Sequence, residues 1–271
     1  MEMNFNDLVA YNQEMAKSWY DKIGFIDKIY EPIDVIVDFG CADGAVTRFI
    51  KSFYNGKLVI GYDLPEVFAE NGITDGDVDE FGVMYIGNLN EIEKYLKRGK
   101  SLLVLNSVFH EIFNYMDLDG AMQLVDWMLS GKFDYVWIRD MYITDPISTW
   151  FRQDAFNTII EKVMTDNDLK LMMDDFIKVY GEPRSLCQLT HFLLKHRFKV
   201  NWKREVEEDY QAFRDNFWRI KAVMKDKYEE VYKDIYLLPY VNHINKVDFG
   251  VSLDDCSMKT HFRAVYKKIE N

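Results

Sequence analysis

The chain has 271 residues, 48% hydrophobic and 15% aromatic, enough to bury a substantial core as one large or two small domains and too apolar for wholesale disorder. Lys and Arg number 33 against 45 Asp and Glu, a net charge of −12, which disfavours binding to a nucleic-acid backbone without excluding a local basic groove. Cys41, Cys187 and Cys256 are too few and scattered for a disulfide framework or zinc site, the N-terminus lacks a signal pattern, and no stretch reaches the ~20 apolar residues of a membrane span. The expectation is a cytoplasmic protein with no membrane partner and no metal.

In chain order, Phe5 to Tyr20 reads as an amphipathic helix and Asp21 to Tyr30 as a second, short one, ended by Glu31-Pro32. Val35-Ile36-Val37 climbs into Asp38 as a buried strand, which stops at Phe39-Gly40-Cys41-Ala42-Asp43-Gly44. A helix follows, with Val46, Phe49 and Ile50 on one face. Gly40 and Gly44 let the backbone bend and let a ligand approach where a Cβ would clash. The acids Asp38 and Asp43 would repel a pyrophosphate and favour a cationic group such as an ammonium or a sulfonium.

The second strand, Lys57 to Tyr62, ends at Asp63, about twenty residues past the bend, where βαβ nucleotide sites place an acid against a ribose diol. Strand-end acids also serve as helix caps. Leu64-Pro65-Glu66 opens a helix, and Asn71 to Glu80 is a loop. A third strand, Phe81 to Ile86, closes at Gly87-Asn88-Leu89, where Asn88 either caps the next helix, with Glu91 at capping-box spacing, or meets a ligand.

The fourth strand is Ser101 to Asn106, continuing into Ser107-Val108-Phe109-His110-Glu111-Ile112. An imidazole at this strand end titrates near neutrality and is suited to take a proton from a nucleophile, with Glu111 to orient it or contact substrate. The alternative is a helix N-terminus with His110 bonded to structure. A helix over Asp117 to Gly131 leads to the fifth strand, Tyr135 to Ile138, ending Arg139-Asp140-Met141, where Asp140 pairs with Arg139 or contacts substrate.

The second half reads as helices over Pro146–Lys162, Asp166–Tyr180 and Leu186–Arg197, the last capped by Ser185. Lys195 to Arg204 is a basic, aromatic-interleaved patch, either a solvated face or a hold on a phosphate-bearing substrate. A long helix is expected over Glu205–Tyr236, then a strand over Thr260–Tyr266. His191, His196, His243 and His261 lack metal-ligand spacing.

The Asp38–Gly44 segment, D-F-G-C-A-D-G, resembles the first motif of class I S-adenosylmethionine-dependent methyltransferases, D/E-x-G-x-G-x-G, with Ala42 in place of the middle glycine. The N-S-V-F-H-E run of Asn106–Glu111 resembles the fourth motif of the small-molecule type, and the N/D-P-P-Y/F of enzymes that methylate base amino groups is absent. The resemblance spans Val35 to Asp140 through four separated motifs. It implies an α/β, Rossmann-like fold: a mostly parallel seven-stranded sheet with helices on both faces plus a helical insertion or lid. Residues 1–32 would cap the active site, 33–145 form the cofactor-binding core, 146–236 the insertion and 237–271 a β-hairpin completing the sheet.

The implied cofactor is S-adenosyl-L-methionine, with Asp38, Gly40, Cys41, Asp43 and Gly44 around its methionine end. Asp63, with Leu64 beside it, would take the ribose, Asn88 and Leu89 the adenine, and Asn106 would border the methyl. His110 is the implied base and Glu111 the second candidate. The implied reaction moves a methyl group to an O, N or C nucleophile of a small-molecule acceptor. The rivals are a non-catalytic cofactor-binding module, an RNA or nucleotide methyltransferase, and a nicotinamide-dependent oxidoreductase, which the acidic bend disfavours.

Overall fold

The computed structural model describes residues 18–144 and 150–270. Most of the helix expected over Phe5–Tyr20, and the start of the one expected from Pro146, lie outside them. The chain divides into two compact units. A sheet unit comprises Trp19–Asp140, Asp215–Asp234 and Arg263–Asn271, and a helical unit comprises Met141–Arg214 and Ile235–Phe262.

The sheet unit begins with α1 (Trp19–Lys22) and a 3-10 turn over Gly24–Asp27, shorter and more broken than the single helix expected over Asp21–Tyr30. β1 (Val35–Phe39), α2 (Ala45–Phe53), β2 (Leu58–Tyr62), α3 (Pro65–Glu70), β3 (Val83–Ile86), α4 (Leu89–Leu96) and β4 (Ser101–Asn106) then alternate, followed by α5 (Phe109–Tyr115), α6 (Leu118–Leu129) and β5 (Tyr135–Met141). β1 pairs in parallel with β2 and β4, β2 with β3, and β4 with β5. Strands buried on both faces need apolar residues at every position rather than at alternate ones. β1 (V-I-V-D-F) and β5 (Y-V-W-I-R-D-M) are buried throughout.

The complete sheet has seven strands in the order β3-β2-β1-β4-β5-β7-β6, where β6 is Tyr228–Tyr236 and β7 is His261–Lys268. β7 runs antiparallel to both neighbours. Lys268 donates to Asp134 and Thr260 faces Tyr142, while Ile269 donates to Lys227 and Thr260 to Tyr236, so one index falls as the other rises. One apolar layer of this unit packs Phe25, Ile33, Ile36, Ile50, Val59 and Trp137, each at or below 2% exposure. Burying each such side chain contributes about 1.5–3 kcal/mol.

β6 corrects the helix expected over Glu205–Tyr236. Its Glu and Lys residues suggest helix, but they sit on an edge strand whose side chains are mostly exposed, where charge guards against further pairing. The chain turns into it through Asp226, at φ 63. The expected helix is present only as α10 (Trp202–Glu207) and α11 (Ala212–Met224). Much of the expected C-terminal hairpin region is instead α12 (Pro239–Phe249), opened by Pro239 and closed by Gly250 in the left-handed region.

The helical unit contains α7 (Trp150–Thr165), α8 (Asn167–Tyr180), α9 (Leu186–Lys195), α10 and α12. Asp166 and Ser185 cap α8 and α9 through their side-chain oxygens. Its core gathers Ile159, Met173, Phe176, Leu189, Phe192 and Leu253, so the methionine-rich face is core here. The basic patch is a solvated face in part, with Lys199, Lys203 and Arg204 exposed, and is corrected at its start. Lys195 is fully buried and His196 is 3% exposed. The Lys195 ammonium donates to the carbonyl oxygens of Glu205 and Glu208 and stands 4.2 Å from the Tyr210 ring centroid. Burial brings its pKa down to about 8. Among the described residues, no helix is long and apolar enough to cross a membrane.

Candidate functional site

Every residue singled out as cofactor-binding or catalytic lies in the sheet unit, at the carboxyl ends of β1, β2, β3 and β4 or in the turns that follow them. The sheet order changes direction between β1 and β4, since β1 leads to β2 on one side while β4 lies on the other. A crevice at such a switch point is where open α/β sheets take ligands.

The bend after β1 passes through three residues with left-handed backbone, Gly40 (φ 75), Ala42 (φ 48) and Gly44 (φ 72). Gly44 is also sterically required: a Cβ there would lie 2.3 Å from the Tyr85 hydroxyl. Tyr85 is wedged beneath the bend, receiving Arg48 Nη1 at 2.9 Å and donating to Asp79 at 3.0 Å. Gly40 and Cys41 donate their backbone N–H groups to Tyr62 O, and the Cys41 side chain is buried. Asp43 Oδ1 accepts from Ala45 N–H at 3.0 Å, starting α2, so at least part of its carboxylate shapes the turn.

Asp38 is 3% exposed and accepts from the Thr47 hydroxyl at 2.7 Å. Burial lifts its pKa to about 6; the Thr47 bond and Lys22 oppose the rise, and Asp63 adds to it. Asp38 thus feels the charge of Asp63. Asp63 Oδ2 accepts from Ala42 N–H at 2.7 Å and Oδ1 from Leu64 N–H at 2.8 Å. Burial raises its pKa while these two bonds lower it. A carboxylate offers about four lone-pair sites, so both Asp63 oxygens retain acceptor capacity. Leu64 beside it is 55% exposed, an apolar surface at the strand tip.

Asn88 caps α4, its Oδ1 accepting from Asn90 N–H at 3.0 Å, and Leu89 opens that helix half-buried. Asn106, the last residue of β4, accepts the Trp137 indole N–H at 3.1 Å, while its Nδ2 is buried without a partner. A buried unpaired amide costs about 1–3 kcal/mol, and a ligand acceptor would relieve it.

Beyond β4 the chain turns at Ser107 (φ 60) into α5, so the expected strand continuation ends at Asn106. His110 is 3% exposed and its Nδ1 lies 2.7 Å from Asp140 Oδ1. Asp140 Oδ2 also accepts the backbone N–H groups of Phe109 at 2.9 Å and His110 at 3.3 Å. An ionised carboxylate only accepts, so Nδ1 carries the proton and Nε2 is the basic nitrogen. Arg139, the partner expected for Asp140, is instead directed to Asp21 at 2.8 Å and the Ser107 hydroxyl at 2.8 Å. The reason is register. Asn106 aligns with Arg139, which brings the turn after β4 against Asp140. The sequence reading missed the His110–Asp140 pair, although the adjacency of β4 and β5 tips could have revealed it. Glu111 is half-buried in the first turn of α5.

Lys22, the last residue of α1, was not anticipated. It is 6% exposed. Burial and the charge of Arg139 lower its pKa, while Asp38, Asp43 and Glu111 raise it, for a value of about 8.

No protein-family model and no curated protein matches the chain. Among solved structures, the plantazolicin methyltransferase BamL in complex with a triazolic desmethylPZN analog and SAH aligns over 97% of this chain and 86% of its own, at 12% identity and TM-score 0.42. The plantazolicin methyltransferase BpumL in complex with SAH aligns over 97% and 89%, at 10% identity and TM-score 0.45. The small RNA methyltransferase HEN1 aligns over 96% of this chain but 25% of its own, at 12% identity and TM-score 0.44. Likeness this distant leaves the ligand to be identified from the site's own residues.

Proposed function

We propose that the sheet unit is a class I methyltransferase that binds S-adenosyl-L-methionine across the tips of β1, β2, β3 and β4 and delivers its methyl group to an O, N or C nucleophile of a small-molecule acceptor. The observation that carries this reading is the pair of carboxylates, Asp38 and Asp63, at the tips of the adjacent parallel strands β1 and β2, with Asp63 bonded to the Gly40–Gly44 bend through Ala42 N–H. Acids in this corner suit a ligand with cationic groups and hydroxyls. A pyrophosphate would add negative charge to negative charge.

The residues present fit the group. Asp38 faces its cationic methionine end, and Asp63 has lone pairs for a ribose diol. Asn88 and Leu89 border the adenine, Leu64 offers an apolar edge, and the Asn106 amide supplies a donor beside the methyl. When bound, S-adenosyl-L-methionine supplies an electrophilic methyl on a sulfonium. The chain's own work is to hold donor and acceptor in line and to receive a proton from the acceptor. His110 Nε2 receives it, and Asp140 holds the imidazole in that tautomer and balances the positive charge that forms. Glu111 is the second candidate for contact with the acceptor.

A labelled-methyl transfer assay over fractionated small molecules, RNA and protein tests the reading. Small-molecule labelling that is lost in His110→Ala supports it. Ligand binding with no acceptor in any fraction would favour a non-catalytic binding module, and labelled RNA would move the acceptor class.

A further inference from the structure

Ser107 opens the turn that carries His110, and it holds a backbone that a residue with a Cβ adopts only at a cost, φ 60. Two consecutive residues of β5 grip that turn. Neighbours on a strand point to opposite faces of the sheet, so Arg139 and Asp140 reach it from two sides. Asp140 accepts the N–H groups of Phe109 and His110 and meets the imidazole. Arg139 holds Ser107 itself: its carbonyl accepts Ser107 N–H at 2.7 Å, and its Nη1 donates to the Ser107 hydroxyl at 2.8 Å.

The Arg139 side chain is 3% exposed, and a buried guanidinium needs a counter-charge. Asp21 of α1 supplies it, its Oδ2 accepting from Arg139 Nε at 2.8 Å. Nε and Nη1 belong to one rigid, planar group, so where Asp21 sits fixes where Nη1 is aimed. The other oxygen of Asp21, Oδ1, lies 3.3 Å from Arg263 Nη1 of β7. One carboxylate therefore makes two ion pairs, and only the first leads on to the turn.

We infer that Arg139 is a positioning residue for His110, and that Asp21 makes the placement of the imidazole conditional on the seating of α1. With α1 seated, Asp21 orients the guanidinium, the guanidinium holds Ser107 in its left-handed turn, and the turn delivers two N–H groups and the imidazole to Asp140. Without the Asp21 charge, the guanidinium swings away from the Ser107 hydroxyl. The turn then loses a bond that offsets its strain, and the imidazole is no longer held in one tautomer. That this imidazole serves methyl transfer rests on the methyltransferase reading; the relay that places it does not.

The test is NMR of the isotope-labelled histidine ring nitrogens in the full chain, with His110→Gln assigning the His110 signals. It needs neither cofactor nor acceptor. In wild type, His110 should show one tautomer, with Nδ1 protonated and its proton protected from exchange. Asp21→Asn keeps the shape and removes the charge, and Ser107→Ala deletes only the hydroxyl. Each should shift the His110 nitrogens toward the tautomer mixture of a free imidazole and speed exchange of the Nδ1 proton by about 10- to 100-fold, the worth of one hydrogen bond to a charged group. Arg263→Met breaks the other ion pair of the same carboxylate and should leave the His110 signals as in wild type, whereas a general loosening of α1 would move them. Unchanged signals from His191, His196, His243 and His261 show that a variant is folded, and Ser107→Ala decides alone if Asp21→Asn does not fold. A wild-type ring without a fixed tautomer, an unmoved His110 in a folded Asp21→Asn or Ser107→Ala, or an equal shift in Arg263→Met overturns the inference. A relay that behaves as expected in a chain that labels no acceptor overturns only the use assigned to the imidazole.

Discussion

Asp63 Oδ2 accepts the backbone N–H of Ala42 at 2.7 Å, tying the tip of β2 to the bend that follows β1. The same carboxylate caps Leu64 N–H with its other oxygen. One side chain therefore shapes the loop and also presents acceptors to a ligand. Asp63→Ala removes both. Stability should fall by about 1–3 kcal/mol, the range for hydrogen bonds to a charged group, read as a shifted urea midpoint at unchanged slope. Affinity for S-adenosylhomocysteine should fall roughly tenfold or more. Unchanged affinity would remove Asp63 from the site.

The bend makes a paired prediction about backbone. Gly44→Ala places a Cβ 2.3 Å from the Tyr85 hydroxyl at φ 72 and should destabilise by about 2–4 kcal/mol, strain and overpacking together. Ala42→Gly relieves a side chain held at φ 48, and it should leave stability within about 1 kcal/mol of wild type because the added chain entropy offsets the relief. Thermal melts of the two variants should therefore separate by several degrees.

The His110–Asp140 pair should matter to transfer and not to cofactor binding. His110→Gln and Asp140→Asn should each lower turnover by roughly 10²–10⁴-fold, the usual worth of positioned proton transfer. S-adenosylhomocysteine affinity should change little. Single-turnover rates measured beside calorimetry distinguish this from a general loss of fold, and undiminished turnover in His110→Gln would end the base assignment.

The pH dependence follows from Asp38, whose surroundings include Thr47, Lys22 and Asp63. Its folded pKa of about 6 exceeds the ordinary carboxylate value, so between about pH 4 and 6 the folded state holds the extra proton. Its contribution to stability therefore falls as pH rises through that window, because an ionised carboxylate is then buried. A cationic ligand needs the ionised form, so affinity should fall as pH drops through about 6, with proton release on binding near that pH. Titrations in buffers of different ionisation heat measure the released proton directly, and Asp38→Asn should abolish it.

The five parallel strands were legible because each is a short apolar run closed by a turn signal: Asp38 before Gly40, Asp63 before Pro65, Asn88 before α4. The helix caps Asn88 and Ser185 were legible for the same local reason. β6 was not. An edge strand needs few buried side chains, so Y-E-E-V-Y-K-D-I-Y carries helix-like charge with no apolar stripe to contradict it. Nor could the sequence show that Lys195 is buried, since its carbonyl partners at Glu205 and Glu208 are set by how α9 and α10 meet. The His110–Asp140 contact spans thirty residues and depends on strand register, which periodicity does not carry.

The most direct measurement is a calorimetric titration of the protein with S-adenosyl-L-methionine, S-adenosylhomocysteine and NAD. Strand-tip carboxylates flanking a glycine bend predict that the first two bind at one site per chain and that NAD does not. Binding of NAD alone would contradict the account.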